Sequence, residues 1–189
     1  ILIDAKNIFF KQFLQKKYLK YDLKLKDIDE KQFNDYLFRL FEDDLGCLVN
    51  CGKQVQHLIS LHRLSLNNKL ISLINSLGLS TPVISTRPVL FYNHHKLAKK
   101  KVYHKVDAHQ DWRSMQGSLN SLVVWVPLID IDKSLGALEI LPKSHLTGLQ
   151  CDHLDSGFGM VKLSSSENEK LISVEVERGD ILVFSSFLV

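Results

Sequence analysis

The chain has 189 residues, 45% hydrophobic and 24% charged, which suits one globular domain able to bury a core. Its net charge of +3 is too small to point to nucleic acid, and the lysines are scattered except for one cluster. No run approaches the roughly 18 uninterrupted apolar residues of a membrane span, and Ile1 to Lys6 lack the order of a secretory signal.

The first eighty or so residues read as helical. Asp4 is placed to cap a helix carrying Ile8, Phe9, Phe13 and Leu14, and Asp29 opens a second with Phe33, Leu37, Leu40 and Phe41 at helical spacing. A third apolar stripe runs through Val55, Leu58, Ile59 and His62. Asn67 caps a fourth helix, with Leu70, Leu73, Ile74 and Leu77 inside and Gly78 at its end. The character changes at Ser80-Thr81-Pro82, after which short apolar or β-branched runs alternate with turn residues. The expected strands are Thr86–Tyr92, Val102–Ala108, Ser121–Ile129, Ala137–Leu141, Leu171–Val176 and Ile181–Phe187. Strands this short and frequent indicate a sandwich or barrel and not a sheet of βαβ units. One domain is expected, helical over 1–80 and β-rich over 81–189.

Three cysteines, Cys47, Cys51 and Cys151, are an odd number for a disulfide framework. Cys47 and Cys51 lack the further Cys/His pair of a structural zinc site. Ordinary free thiols in a reducing, cytoplasmic setting are expected.

The sharpest chemical feature is Ala108-His109-Gln110-Asp111-Trp112. In an extended segment side chains alternate faces, so His109 and Asp111 point the same way. One imidazole and one carboxylate supply two corners of a three-cornered site that suits Fe(II) and leaves positions open for other ligands. A His-x-Asp triplet alone carries little weight: it arises often by chance, and two solvated residues on a surface strand explain it more readily. Three further blocks follow: Gly117 to Leu128, a turn into a buried strand; Gly136-Ala-Leu-Glu-Ile-Leu-Pro-Lys-Ser-His145; and Glu177-Arg-Gly-Asp-Ile-Leu-Val-Phe184.

In this order and spacing the blocks resemble the phytanoyl-CoA dioxygenase family of Fe(II)/2-oxoglutarate oxygenases, over about residues 86–189. The resemblance implies a mainly β fold with N-terminal helices (α+β), a double-stranded β-helix of jelly-roll, cupin-like form with flanking helices. It implies Fe(II) as metal and 2-oxoglutarate as co-substrate, the latter losing carbon dioxide to give succinate while a C–H bond of a small organic substrate is hydroxylated. Acyl thioesters and other anionic metabolites are among the candidates. His109 and Asp111 match the family's first two iron ligands, Gln110 the residue beside the co-substrate, and Trp125 a tryptophan near 2-oxoglutarate. Trp125 is equally well read as an aromatic core residue. Gly136, Leu138, Pro142, Ser144 and His145 match the family pattern, His145 with a structural role. Lys143 stands where a second glycine is common, so a locally different turn is expected there. The second histidine ligand and a co-substrate arginine are due at and beyond Val189, so a fragment is expected.

Arg113, Gln116 and Ser118 follow the metal segment and are placed to touch substrate, although a polar turn accounts for them equally well. Lys96, Lys99, Lys100, Lys101 and Lys105, with His94, His95 and His104, would steer an anionic substrate or simply form a solvated loop. Arg178-Gly179-Asp180 is read as a glycine turn capped by aspartate and not as an adhesion motif. Two other functions compete with the oxygenase: a β-helix binding module that has lost its metal centre, and a cupin-type metal enzyme, to which the Gly136 block fits poorly. A small-molecule substrate is expected, with no nucleic-acid or membrane partner.

Overall fold

A computed structural model describes residues 1–91, 106–150 and 160–189. The lysine and histidine cluster before the metal segment, together with Cys151 and His153, lies outside the described residues. The chain divides into two compact units, Ile1–His104 and Lys105–Val189.

The first unit is helical. Helix α1 spans Leu2–Gln15, α2 Glu30–Asp43, α3 Leu45–Val55, α4 Ile59–Ser65 and α5 Asn68–Ser76. Asp29 caps α2 as expected: its carboxylate accepts from the Gln32 N–H at 2.7 Å, and the Gln32 side chain accepts from the Asp29 N–H at 2.9 Å. Asn67 likewise caps α5. The other end of α5 closes on Gly78 at φ 96, whose N–H reaches Asn75 while that of Leu79 reaches Ile74. Asp4 caps nothing; α1 starts before it, so Asp4 sits in the first turn, where a carboxylate favours the helix dipole. The stripe through Val55 and His62 is not one helix. It crosses the break between α3 and α4, and α3 begins earlier, at the Asp44 cap.

Helices α1, α2 and α3 pack on one another. Their core holds Phe9, Phe10, Phe13, Phe33, Leu40, Phe41, Leu48 and Val55. Phe13 is fully buried, edge-on to Phe33 with centroids 5.3 Å apart. Leu70 is the buried residue of α5, whereas Leu73 and Leu77 are exposed. No strand forms over residues 86–91. The backbone there finds a side chain instead: Gln56 accepts from the Leu90 N–H at 2.6 Å and donates to the Leu90 carbonyl at 3.1 Å.

The second unit holds the short helices α6 (Trp112–Met115) and α7 (Ser165–Asn168) and four strands. These are β1 (Leu122–Trp125), β2 (Leu138–Ile140), β3 (Ile172–Val174) and β4 (Leu182–Ser185). Each lies inside an expected strand but is shorter. They pair antiparallel and nested: β1 with β4, Leu122 opposite Ser185, and β2 with β3, Leu138 opposite Val174. No closed barrel forms among the described residues. Residues 106–108 form no strand, and His109 meets Met160 in an isolated bridge.

Two turns of this unit follow their residue chemistry. Gly179 takes φ 113, and the Asp180 carboxylate accepts from the Glu177 N–H at 2.9 Å, the turn read from Arg178-Gly179-Asp180. Lys143 takes φ 66 and ψ 3, the left-handed conformation a glycine would take. The backbone geometry is therefore the glycine one, held by a residue that carries a Cβ.

Candidate metal centre

His109 and Asp111 converge. His109 Nε2 lies 3.5 Å from Asp111 Oδ1, and both side chains are a little over one-third exposed. The convergence does not come from an extended strand. Asp111 has helical dihedrals (φ −62, ψ −24) as the residue that opens α6, so the turn into that helix brings its carboxylate toward the imidazole.

The imidazole is held from its other side. His109 Nδ1 lies 2.8 Å from the Asp107 carbonyl oxygen, an atom that only accepts, so Nδ1 carries the proton. In a neutral ring Nε2 is then a bare lone pair facing a carboxylate. That pairing is repulsive unless a proton or a cation sits between. The Asp111 carboxylate, followed by the Asp107 carbonyl, accordingly raises the His109 pKa against the opposing effect of burial.

The donor set fits a divalent transition metal: one imidazole nitrogen whose second nitrogen donates to a carbonyl, plus one carboxylate. Two donors each about 2.1 Å from one cation lie about 3.0 Å apart at a right angle and about 3.4 Å apart at a tetrahedral angle. The observed 3.5 Å needs only a small adjustment. No group of three His, Cys, Asp or Glu side chains able to hold a metal occurs among the described residues.

The backbone around the pair is tightly held. Gln110 is 1% exposed, and each polar atom of its amide is used. Nε2 donates to the carbonyls of Gly148 (3.0 Å) and Phe187 (2.6 Å), and Oε1 accepts from the Gln150 N–H (2.8 Å). The next residue adds two ties: Trp112 N–H donates to the Ser186 carbonyl at 3.0 Å, and the Trp112 ring stacks on Phe187 at 5.6 Å. Two segments distant in sequence, 148–150 and 186–187, are thus fastened to the residues between and after the two donors.

The remaining candidates are dispersed. Arg113, on α6, donates to the Gln150 carbonyl at 2.5 Å. Gln116 ends α6 in the left-handed conformation and is exposed. Ser118 is exposed and accepts from the Asn120 N–H at 3.1 Å. Trp125 ends β1 opposite Leu182 and is half-buried, and His145 is exposed in the 3-10 turn Ser144–Thr147. Sequence reasoning missed Asp107, Trp112, Ser186 and Phe187. The first and last two act through backbone oxygens or ring stacking, which leave no polar motif to find; Trp112 was visible only as a neighbour of Asp111.

The family model for phytanoyl-CoA dioxygenase (PhyH) matches residues 26–189. The chain belongs to the phytanoyl-CoA dioxygenase family. The match takes in α2 through α5, where no motif was readable, as well as all four strands. The family typically uses Fe(II) and 2-oxoglutarate and implies a small-molecule substrate and a double-stranded β-helix fold. Neither the curated proteins nor the solved structures gave a match. No helix among the described residues is long and apolar enough to cross a membrane.

Proposed function

We propose that this member of the family is an Fe(II)- and 2-oxoglutarate-dependent dioxygenase that hydroxylates a small organic substrate, with His109 and Asp111 as metal ligands on a double-stranded β-helix. One observation carries this reading: a tautomer-fixed imidazole nitrogen and a carboxylate oxygen face each other at 3.5 Å. Iron bound there would supply oxygen activation coupled to decarboxylation of 2-oxoglutarate.

The chain's own residues prepare that site. The Asp107 carbonyl accepts a hydrogen bond from Nδ1–H, which leaves the Nε2 lone pair free to bind a metal. Gln110, with its amide engaged on backbone atoms, acts at the co-substrate by fixing the backbone that carries both ligands. Trp125 lines the co-substrate pocket. Arg113, Gln116 and Ser118 border the substrate, with Arg113 oriented by the Gln150 carbonyl.

The test is an anaerobic Fe(II) titration followed by visible absorption, with and without 2-oxoglutarate. A charge-transfer band that needs both components, bleaches on admitting oxygen and vanishes in His109→Ala and Asp111→Ala is the expected result. Full-length protein that stays folded yet shows no band and yields no succinate would overturn the oxygenase reading and favour a non-catalytic binding module.

A further inference from the structure

Helix α3 carries a pair of sulfur atoms that the oxygenase chemistry does not use. Cys47 and Cys51 stand four residues apart on it, which places them on one helix face. Both line a single cleft of about 470 Å³, together with Gln12 of α1 and with Asn50 and Gln54. Cys51 is 2% exposed and Cys47 is half-buried, so one sulfur forms the floor and the other the rim. Cys47 Sγ donates to Gln12 Oε1 at 3.3 Å.

The pair is unsuited to the two common fates of cysteines. Cβ atoms four apart on a helix are about 5–6 Å apart, beyond the roughly 3.5–4.5 Å of a disulfide, so bridging them would break α3. Burial, with the neighbouring Cys47, pushes the Cys51 thiol up to about 12, so it carries almost no thiolate to react with electrophiles at neutral pH. Its proton leaves when a cation that bonds sulfur strongly replaces it.

The surroundings choose the cation. Hard ions need oxygen cages, and the cleft's carboxylate, Asp44, is committed to Lys16 at 2.6 Å and to the Cys47 N–H at 2.9 Å. Structural zinc needs four ligands. A soft cation of low coordination number is satisfied by two sulfurs.

We propose that Cys47 and Cys51 form a two-sulfur site for a soft, thiophilic cation, Cu(I), reached through the cleft beside α1. On binding, two S–H bonds break, two Cu–S bonds form and two protons pass to solvent; copper stays Cu(I), and no oxidant or reductant is consumed.

The test is an anaerobic titration of the reduced full chain with Cu(I) against bicinchoninate as competing chelator. One equivalent drawn from the chelator is expected. Cys47→Ser and Cys51→Ala should each weaken it roughly 100-fold or more, as loss of a ligand does, and Cys151→Ser should leave it unchanged. Because Cys51→Ala risks the packing of α3, phenylarsine oxide supplies a check on the unsubstituted protein, since it closes only on two thiols within reach of each other. The thiols counted after denaturation should fall from three to one. Full retention of Cu(I) in Cys47→Ser, its loss in Cys151→Ser, or three thiols remaining after the arsenical would overturn the proposal.

Discussion

Lys143 and Gln110 show how single positions set the second unit's geometry. Lys143 sits at φ 66, where a Cβ crowds the following carbonyl at about 1–2 kcal/mol. The turn keeps the glycine conformation because Leu141 and Ser144 on either side are fixed: the Leu141 N–H donates to the Val189 carbonyl at 2.7 Å, and Ser144 Oγ accepts from the Val189 N–H at 2.9 Å. Lys143→Gly relieves the strain and gives back part of it as unfolded-chain entropy, so a gain of about 0.5–1 kcal/mol is expected in urea unfolding. Gln110 works in the opposite sense. Gln110→Leu keeps the volume but strands two carbonyls and one N–H in the interior, at about 1–3 kcal/mol for each group that finds no water. A loss of about 2–4 kcal/mol in urea unfolding is expected for the three groups together. Unchanged stability in that variant would mean that the three backbone ties are not made in solution.

Among the elements, those specified by local chemistry were legible. Asp29 and Gln32 lie three residues apart and satisfy each other's backbone, so the start of α2 could be read directly. Asp29→Ala should cost about 1 kcal/mol by thermal or urea unfolding, whereas Asp29→Asn should cost much less. The break between α3 and α4 was not legible, because an apolar stripe continues through it and only the packing of Leu48, Cys51 and Val55 against α1 and α2 decides where α3 lies. The β elements were legible as places but not as lengths. Residues 86–91 have strand-like composition, yet Gln56 from α3's end takes the backbone positions a neighbouring strand would take. The His109–Asp111 pair was legible as residues and not as geometry. His109 and Asp111 meet through the dihedrals of Asp111 and the anchoring of Gln110 and Trp112 to residues 148, 150, 186 and 187, contacts with no local signature.

Over the whole molecule, charges at helix and turn starts set the response to pH. Among the described residues, three carboxylates lie below their usual range: Asp44, chiefly through the Lys16 ammonium; Asp132, chiefly through the Ser134 hydroxyl; and Glu167, chiefly through the Ser164 hydroxyl. The first caps α3, the second a 3-10 turn, and the third closes the capping box of α7. A depressed folded pKa contributes stability that is present above the unfolded value and lost as pH falls through the folded one. Lys16 and Tyr18 act at the other end. Lys16 is raised chiefly by its hydrogen bond to Asp44, and Tyr18 is raised to about 12 by burial and by its hydrogen bond to Asp43. Their contribution is present below the unfolded values and lost as pH rises through the folded ones. The urea midpoint at constant salt should therefore fall below about pH 4 and again above about pH 8.5, where Cys51, held up to about 12 by burial, begins to titrate in the unfolded chain, followed by Tyr18 and Lys16 near about pH 10. Asp44→Asn separates the contributions, because asparagine caps as well as aspartate but cannot pair with Lys16. It should lower the midpoint slightly at neutral pH and flatten both limbs, whereas Tyr18→Phe should flatten the alkaline limb alone. If the acid limb of Asp44→Asn is as steep as that of the unsubstituted chain, acid sensitivity arises at groups other than the α3 cap.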